Sequence, residues 1–284
     1  MENLRKHENN KLLHVLIGDA RNIEATLFHV DNIDFVFHEA AIASVPRSVS
    51  EPMLVHDVNV NMTLNVMNFC VHKKVKRFIF ASTAAVYGAL NGKASEALVC
   101  KPSSPYGASK LAIENYLSAY ERTYGLETVI LRYFNVYGSR QKSSDYSGVI
   151  TIFTNKLLHR ETPTIFGDGL QVRDFVHVKD IVQANMLAME SENAKGEVFN
   201  VASGNSISIL QLLETLRAIT DTYVEHKYAE PRVGDMKFGL AKIDKIEREL
   251  GYCAKIPIKE GLRELVDYIK STLEIQILHF KKGD

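Results

Sequence analysis

Tyr106 and Lys110 stand four residues apart in the stretch Pro105-Tyr106-Gly107-Ala108-Ser109-Lys110. On a helix that spacing puts both side chains on one face. The face continues through Ile113, Leu117, Tyr120 and Tyr124, an apolar stripe with a lysine at its head. Lysine is seldom buried without a task. An ammonium beside a phenol favours the phenolate and draws the tyrosine pKa down toward neutrality. The result is a base able to take a proton from a sugar or alcohol hydroxyl. Alone, the spacing more often marks a surface lysine beside a packed tyrosine. A second feature narrows the choice. Ala81-Ser82-Thr83-Ala84-Ala85-Val86-Tyr87-Gly88 closes an apolar run, and parallel α/β sheets bind ligands at the carboxyl ends of their strands. Hydroxyls of Ser82 and Thr83 are expected to face that crevice, although such hydroxyls by themselves often only cap a turn. A strand-end hydroxyl followed by Tyr-x-x-x-Lys on the next helix is a triad with a topology.

The elements that must hold this triad are legible as alternating short apolar runs and helical patterns. Strands are expected at Leu12–Ile17, Phe35–His38, Arg77–Ala81, Thr128–Tyr133 and Val198–Val201, and helices at Glu51–His72 and Pro105–Tyr124. Ser104 can cap the second helix, with Pro105 at its first position. Phe78-Ile79-Phe80-Ala81 and Val129-Ile130-Leu131 are continuously apolar, as parallel strands covered on both faces require. The rhythm predicts an α/β fold with a doubly wound parallel sheet. Beyond Gly138 the texture changes to a polar stretch over 141–148 and helices at Val149–His159 and Lys179–Met189. Ser208 and Gln211 form a capping box ahead of Ile209, Leu212, Leu213 and Leu216. Residues 1–138 are therefore expected to form one domain and 139–284 a smaller α/β domain, with some segments returning to the first.

Composition removes several function classes. Hydrophobic residues are 46% and charged residues 24% of the 284, which fits a globular protein. Lys plus Arg total 34 and Asp plus Glu total 34, so net charge makes no case for nucleic acid or anionic membrane as partner. Cys70, Cys100 and Cys253 show no paired spacing, which suits a reducing, cytoplasmic location and excludes a disulfide scaffold or zinc module. No apolar stretch approaches the roughly 20 residues of a membrane span, and the charged start is no signal peptide. The histidines show no His-Glu-x-x-His, so no metal site is expected. There is no Gly-x-Ser-x-Gly elbow of a hydrolase, and His38, at a strand end, is read as structural.

With those residues in view, the chain resembles the extended short-chain dehydrogenase/reductases, within the NAD-dependent epimerase/dehydratase family, in its UDP-sugar 4-epimerase branch. The likeness runs from about Leu13 to the C-terminal helices. It includes Gly18-Asp19-Ala20-Arg21, Phe37-His38-Glu39-Ala40-Ala41, Ser44-Val45-Pro46-Arg47-Ser48, Leu131-Arg132-Tyr133-Phe134-Asn135-Val136-Tyr137-Gly138, Phe166-Gly167-Asp168-Gly169 and Arg173-Asp174-Phe175-Val176-His177-Val178. The resemblance implies a Rossmann-like cofactor domain and a sugar-nucleotide domain, with NAD as cofactor and a UDP-sugar as substrate. It implies that Thr83 is the catalytic hydroxyl, Tyr106 the acid/base, and Lys110 the residue that orients the nicotinamide ribose. Asp19 and Ala20 match adenine contacts, Ala40 and Ala41 leave room for the cofactor, and Asn59 and Tyr133 match cofactor-side positions. On the substrate side stand Asn135, Val149 and Phe166, with Arg173 and Arg232 as the diphosphate clamp, a task suited to a forked guanidinium. Asp235 matches a uridine contact, while Ser44, Val45 and Arg47, with Ser82 and Thr83, line the sugar pocket. In isolation Arg173 fits a salt bridge to Asp174 or Asp180 equally well. A homodimer through the helices beside the site, including the one with Tyr106, is also implied.

Neighbouring chemistries separate at one point. Dehydratases and decarboxylases of this family carry an acid just after the strand-end hydroxyl, whereas this chain has Ala84 and Ala85, which favours epimerisation through a 4-keto sugar. One motif is absent. No Gly-x-x-Gly-x-x-Gly occurs; the first glycine, Gly18, belongs to the Gly-Asp-x-Arg motif that follows the third strand of the full fold. A strand–loop–helix–strand unit of roughly 30 residues, which receives the pyrophosphate on a helix N-terminus and flanks Leu12–Ile17, is thus expected to lie outside this sequence. Two readings stand: a UDP-sugar 4-epimerase whose sequence begins late, or a short, non-catalytic sugar-nucleotide-binding or interaction protein. Another dehydratase or reductase of the family is the further alternative. On either of the first two, the 284-residue chain is expected to hold NAD poorly; purification with stoichiometric NAD and normal turnover would overturn that expectation.

Overall fold

The apolar runs Arg77–Thr83 and Glu127–Tyr133 are buried along almost their whole length and pair in parallel over seven residues. Their alternate side chains feed two layers. Phe78, Phe80 and Ile130 point into one cluster with Ile113, Leu117 and Phe69, while Ile79, Val129 and Leu131 point into another with Ile181, Ala184 and Phe199. The computed structural model describes residues 2–27, 29–90, 92–141, 148–231 and 238–280. Its strands are β1 (Phe35–His38), β2 (Arg77–Thr83), β3 (Lys93–Ala94), β4 (Glu127–Tyr133), β5 (Asn135–Tyr137), β6 (Thr164–Phe166), β7 (Val172–His177), β8 (Glu197–Val201), β9 (Ser206–Ser208), β10 (Lys227–Ala229) and β11 (Phe238–Ala241). Its helices are α1 (Ile23–Leu27), α2 (Val45–Ser50), α3 (Pro52–His56), α4 (Met62–His72), α5 (Pro105–Tyr124), α6 (Val149–Leu158), α7 (Val178–Glu190), α8 (Ile209–Thr220), α9 (Asp244–Leu250) and α10 (Ile258–Phe280). Among the described residues, no helix is long and apolar enough to cross a membrane.

The main sheet runs β1-β2-β4-β8, all parallel, with α4 and α5 on one face and α7 on the other. This is the α/β doubly wound architecture read from the sequence. A second sheet, β3-β11-β7-β5, and the pair β10-β6 carry the later chain, covered by α6, α8 and α10 around Phe153, Leu213 and Leu265. The capping box appears as expected: the Ser208 Oγ accepts from Gln211 N at 3.1 Å and Gln211 Oε1 accepts from Ser208 N at 2.9 Å.

Two expectations need correction. Leu12–Ile17 is not a strand: among the described residues no strand pairs with the outer edge of β1, so the segment has no ladder to join. Leu12 and Ile17 are 89% and 84% exposed. The helix expected over Glu51–His72 is α3 and α4 joined by a π-turn at Asp57–Asn61, where Met62 N reaches Asp57 O.

Arg77, fully buried, ties the layers together. Its Nη1 donates to the carbonyls of Ala188, Met189 and Ser191 at 3.1, 2.9 and 2.7 Å, and its Nη2 donates to Glu127 at 2.9 Å. It therefore closes the C-terminal end of α7 against the start of β2. Arg77→Ala leaves those carbonyls unpaired and Glu127 with Lys195 alone, and should cost about 3–5 kcal/mol. Urea denaturation would measure this, and an unchanged midpoint would refute it.

Candidate active site

Tyr106 and Lys110 enter on the first turns of α5. Ser104 Oγ accepts from Gly107 N at 3.1 Å, and Pro105 takes the first helical position. Gly107 lets the helix lie against the turn after β2, since a Cβ there would stand 2.6 Å from the Ala85 carbonyl oxygen. That close approach sets the Tyr106 phenol on the side of the strand end where Thr83 can lower its pKa. Thr83 Oγ1 also accepts from Ala85 N at 3.2 Å, so the same side chain caps the short turn Ala84–Tyr87.

Lys110 is 3% exposed. Its Nζ donates to the Ala81 carbonyl at 2.6 Å and lies 4.6 Å from the centroid of the Phe80 ring. Burial pulls the ammonium pKa down to about 8, against the charges of Glu39 and Glu114. The tyrosine differs from expectation. Burial raises its pKa above the ordinary value and only the Thr83 bond opposes the rise. The ammonium, directed at Ala81, does not draw the phenol toward neutrality. Ser82 also differs. In a strand its side chain must point opposite to that of Thr83, and it donates to Glu114 at 2.5 Å, buried away from the crevice.

The other wall is Tyr133, the register partner of Thr83. Its hydroxyl donates to Glu39 Oε1 at 2.8 Å and accepts from Asn185 Nδ2 at 2.7 Å. The surrounding protein raises the Glu39 carboxyl pKa by desolvation, with Tyr133 and Lys110 working against it. Ala40 and Ala41 follow in the loop after β1, where Ala40 is exposed. Asn59, aimed by the π-turn, accepts from Ile42 N at 2.8 Å and donates to Ile42 O and Ser109 Oγ, each at 3.2 Å. Its amide ties the loop after β1 to α5. Asp19 holds Arg21 through Nη2 at 2.6 Å and the backbone amide at 2.9 Å, and Ala20 lies beside it, partly buried.

One residue past β4, a second cleft opens. Asn135, Val149, Phe166 and Arg173 line a cavity of about 160 Å³, with Gln171 and Phe153 among its other walls. Arg173 Nη1 donates to Val172 O at 2.8 Å, while Asp174 takes Ser203 and Asp180 takes the amides of Lys255 and Ile256. Ser44 caps α2 by accepting from Arg47 N at 3.2 Å; Arg47 pairs with Glu51 at 3.1 Å, and Val45 is 43% exposed. Arg232 and Asp235 lie outside the described residues. Residue patterns left Glu39, Glu114, Arg132, Asn185 and Gln171 without roles. Two signals could have found a pair of them: Glu114 is an acid one helical turn after Lys110, and Arg132 is a lone charge inside an apolar strand.

A parallel α/β sheet with a tyrosine, a lysine and a strand-end hydroxyl at its carboxyl edge defines a protein of the doubly wound nucleotide-binding class. Residues 2–202 match the NAD dependent epimerase/dehydratase family, and the chain belongs to that family. It is similar to the UDP-N-acetylglucosamine 4-epimerase of Methanobrevibacter ruminantium M1, solved with UDP-N-acetylmuramic acid. That likeness has 38% identity and a TM-score of 0.83, covering 90% of this chain and 80% of the other. It is also similar to the UDP-glucose 4-epimerase of Thermotoga maritima solved with UDP-glucose, at 35% identity and a TM-score of 0.88, over 96% and 94% of the two chains. The UDP-glucuronate 4-epimerase of Thermodesulfobacterium geofontis is 32% identical over 281 residues, covering 97% of this chain and 84% of the relative. The chain is thus an NAD-dependent enzyme of the epimerase type.

The depressed Lys110 pKa has a consequence for stability. Between about 8 and the unfolded value near 10.5, the unfolded chain binds a proton that the folded chain does not, so stability rises with pH there. Below about 8 the buried charge is a net cost. Lys110→Met should therefore stabilise the fold at pH 7, by roughly 1–3 kcal/mol, and the advantage should shrink as the pH climbs toward 10. Paired urea melts at both pH values check this; destabilisation at pH 7 would contradict it.

Proposed function

We propose that this site interconverts the two configurations at C4 of a UDP-hexose, UDP-glucose/UDP-galactose or their N-acetyl forms, through a transient 4-keto sugar. The observation that carries the reading is Thr83 at the end of β2 beside Tyr106 on α5, one helical turn from a buried Lys110 and followed by Ala84 and Ala85 rather than an acid. NAD, when bound, would supply the reversible two-electron oxidation at C4 that the interconversion needs. NAD fits the crevice by its donor set: Lys110, Tyr106 and Tyr133 would hold the nicotinamide ribose, while Asp19 and Ala20 would hold adenine. Ala40 and Ala41 leave space between, and Asn59 shapes the wall through Ile42 and Ser109.

Thr83 orients the 4-hydroxyl, and Tyr106 takes its proton and later gives it back. Burial raises the phenol pKa, so a positive charge placed beside it would favour the phenolate. Asn135, Val149, Phe166 and Arg173 would receive the nucleotide, together with Arg232 and Asp235, and Ser44, Val45 and Arg47 would border the sugar. Ser82 is not part of this set. The exposed Tyr116 and Tyr124 on α5 support a homodimer through that helix, and three unpaired cysteines support a cytoplasmic location.

In NAD-supplied protein, Tyr106→Phe should lower the interconversion rate by roughly 10²–10⁴-fold while UDP-sugar affinity stays within about threefold. Chromatography of the UDP-hexose pair and calorimetric binding would measure both. Near-normal turnover would remove Tyr106 from the acid/base role.

A further inference from the structure

Behind the crevice lies a buried ionic cluster that the reaction itself does not use. Glu114 follows Lys110 by four residues and Tyr106 by eight, so the three share a face of α5. Its carboxylate, 6% exposed, accepts from Ser82 Oγ at 2.5 Å, from Arg132 Nε at 3.0 and 3.2 Å, and from Arg132 Nη2 at 2.6 Å. Arg132 Nη1 donates to the Tyr87 hydroxyl at 2.9 Å, and that hydroxyl donates to Asn200 Oδ1 at 2.6 Å. The cluster therefore joins α5 to β2, to β4, to β8 and to the turn capped by Thr83.

The strands' alternation makes the cluster the reverse side of the active site. Ser82 and Arg132 are register partners, as are Thr83 and Tyr133. The first pair faces Glu114 and the second pair faces the crevice. A buried ion pair is weak evidence for stability, since apolar replacements of equal volume often do as well. What this one fixes is the placement of α5 relative to the end of β2. Its charge also bears on Lys110, which faces Glu39 from the loop after β1, Glu114 on its own helix, and the buried His38 on β1.

We propose that Glu114 is a positioning residue of the reaction: by gripping Ser82 and Arg132 together it holds the helix bearing Tyr106 and Lys110 against the strand end bearing Thr83, and its charge balances Lys110. The proposal rests on the reading of Tyr106 as acid/base.

Glu114→Gln tests it, because glutamine keeps the length and an acceptor oxygen but removes the charge. The first readout needs no cofactor: the 13Cε resonance of Lys110, assigned with Lys110→Met, is followed against pH in the full chain. Its midpoint should fall from about 8 by roughly one pH unit. In NAD-supplied protein, kcat should fall about 10–100-fold with KM within about threefold. A folded variant with unchanged midpoint and unchanged kcat overturns the proposal, as does a loss of thermal stability with neither readout altered. If Glu114→Gln does not fold, Ser82→Ala, which leaves the Arg132 pair intact, should still lower kcat about 3–10-fold; full activity there overturns the proposal. Retained turnover in Tyr106→Phe would instead overturn the acid/base reading. An inactive Tyr106→Phe beside an unaltered Glu114→Gln rejects the positioning role alone.

Discussion

Taking an ammonium out of water is the constraint around which the crevice is built. An isolated buried charge is too costly to keep, so Lys110 must be met from several directions at once. The Ala81 carbonyl comes from β2, the Phe80 ring from the same strand, and the Glu39 and Glu114 carboxylates from the loop after β1 and from α5. No single element can move without uncovering the charge. The helix is further fixed by its own ends: Ser104 caps the start, and Gly125, in the left-handed region at φ 71°, returns its amide to Glu121 at the finish. Reactive groups are thus placed by a helix that has little freedom to slide.

The fold was legible where the physics is local or periodic. The bounds of α5 follow from Ser104, Pro105 and the apolar stripe and agree with the structure. β2 and β4 follow from unbroken apolar runs, but β2 continues two residues beyond Ala81 through Thr83 and β4 starts one residue earlier, at Glu127. Leu12–Ile17 misled because strand propensity is only an offer, taken up when a neighbouring edge exists. Ser82 misled for a different reason. Two adjacent hydroxyls look equivalent in a sequence, but a strand sends them to opposite faces: Ser82 goes to Glu114, and Thr83 to the side of Tyr106. The Tyr106 pKa could not be anticipated from spacing, because it depends on where the Lys110 ammonium points rather than on how many residues separate the two. Glu39 was visible within a motif, yet its contact with Tyr133 spans 94 residues of chain and has no periodic signature.

The crevice of Tyr106 and the cleft of Asn135 are joined through a single residue. Tyr133 ends a strand of the main sheet and Asn135 begins a strand of the second, with only Phe134 between them. Phe134 N donates to Val201 O at 3.0 Å, which holds the crossing to β8. Two residue steps span at most about 7 Å, so the wall bearing Tyr133 and the wall bearing Asn135 adjoin whatever the rest of the chain does. A ligand extending from one to the other meets a boundary set by covalent geometry.

The π-turn at Asp57–Asn61 bears on how this sequence can change. It stores one residue more than a regular helix needs, between two helical segments whose faces are already committed. Each residue advances an α-helix by about 100°, so deleting one residue upstream or downstream of the turn would rotate everything beyond it. Phe69 and Cys70 would leave the core, and Asn59 would lose Ile42 and Ser109. Substitutions on the solvent side of this helix leave those contacts in place, whereas a change of length does not. Only its outer face is open to drift in composition, and the whole segment is closed to drift in register.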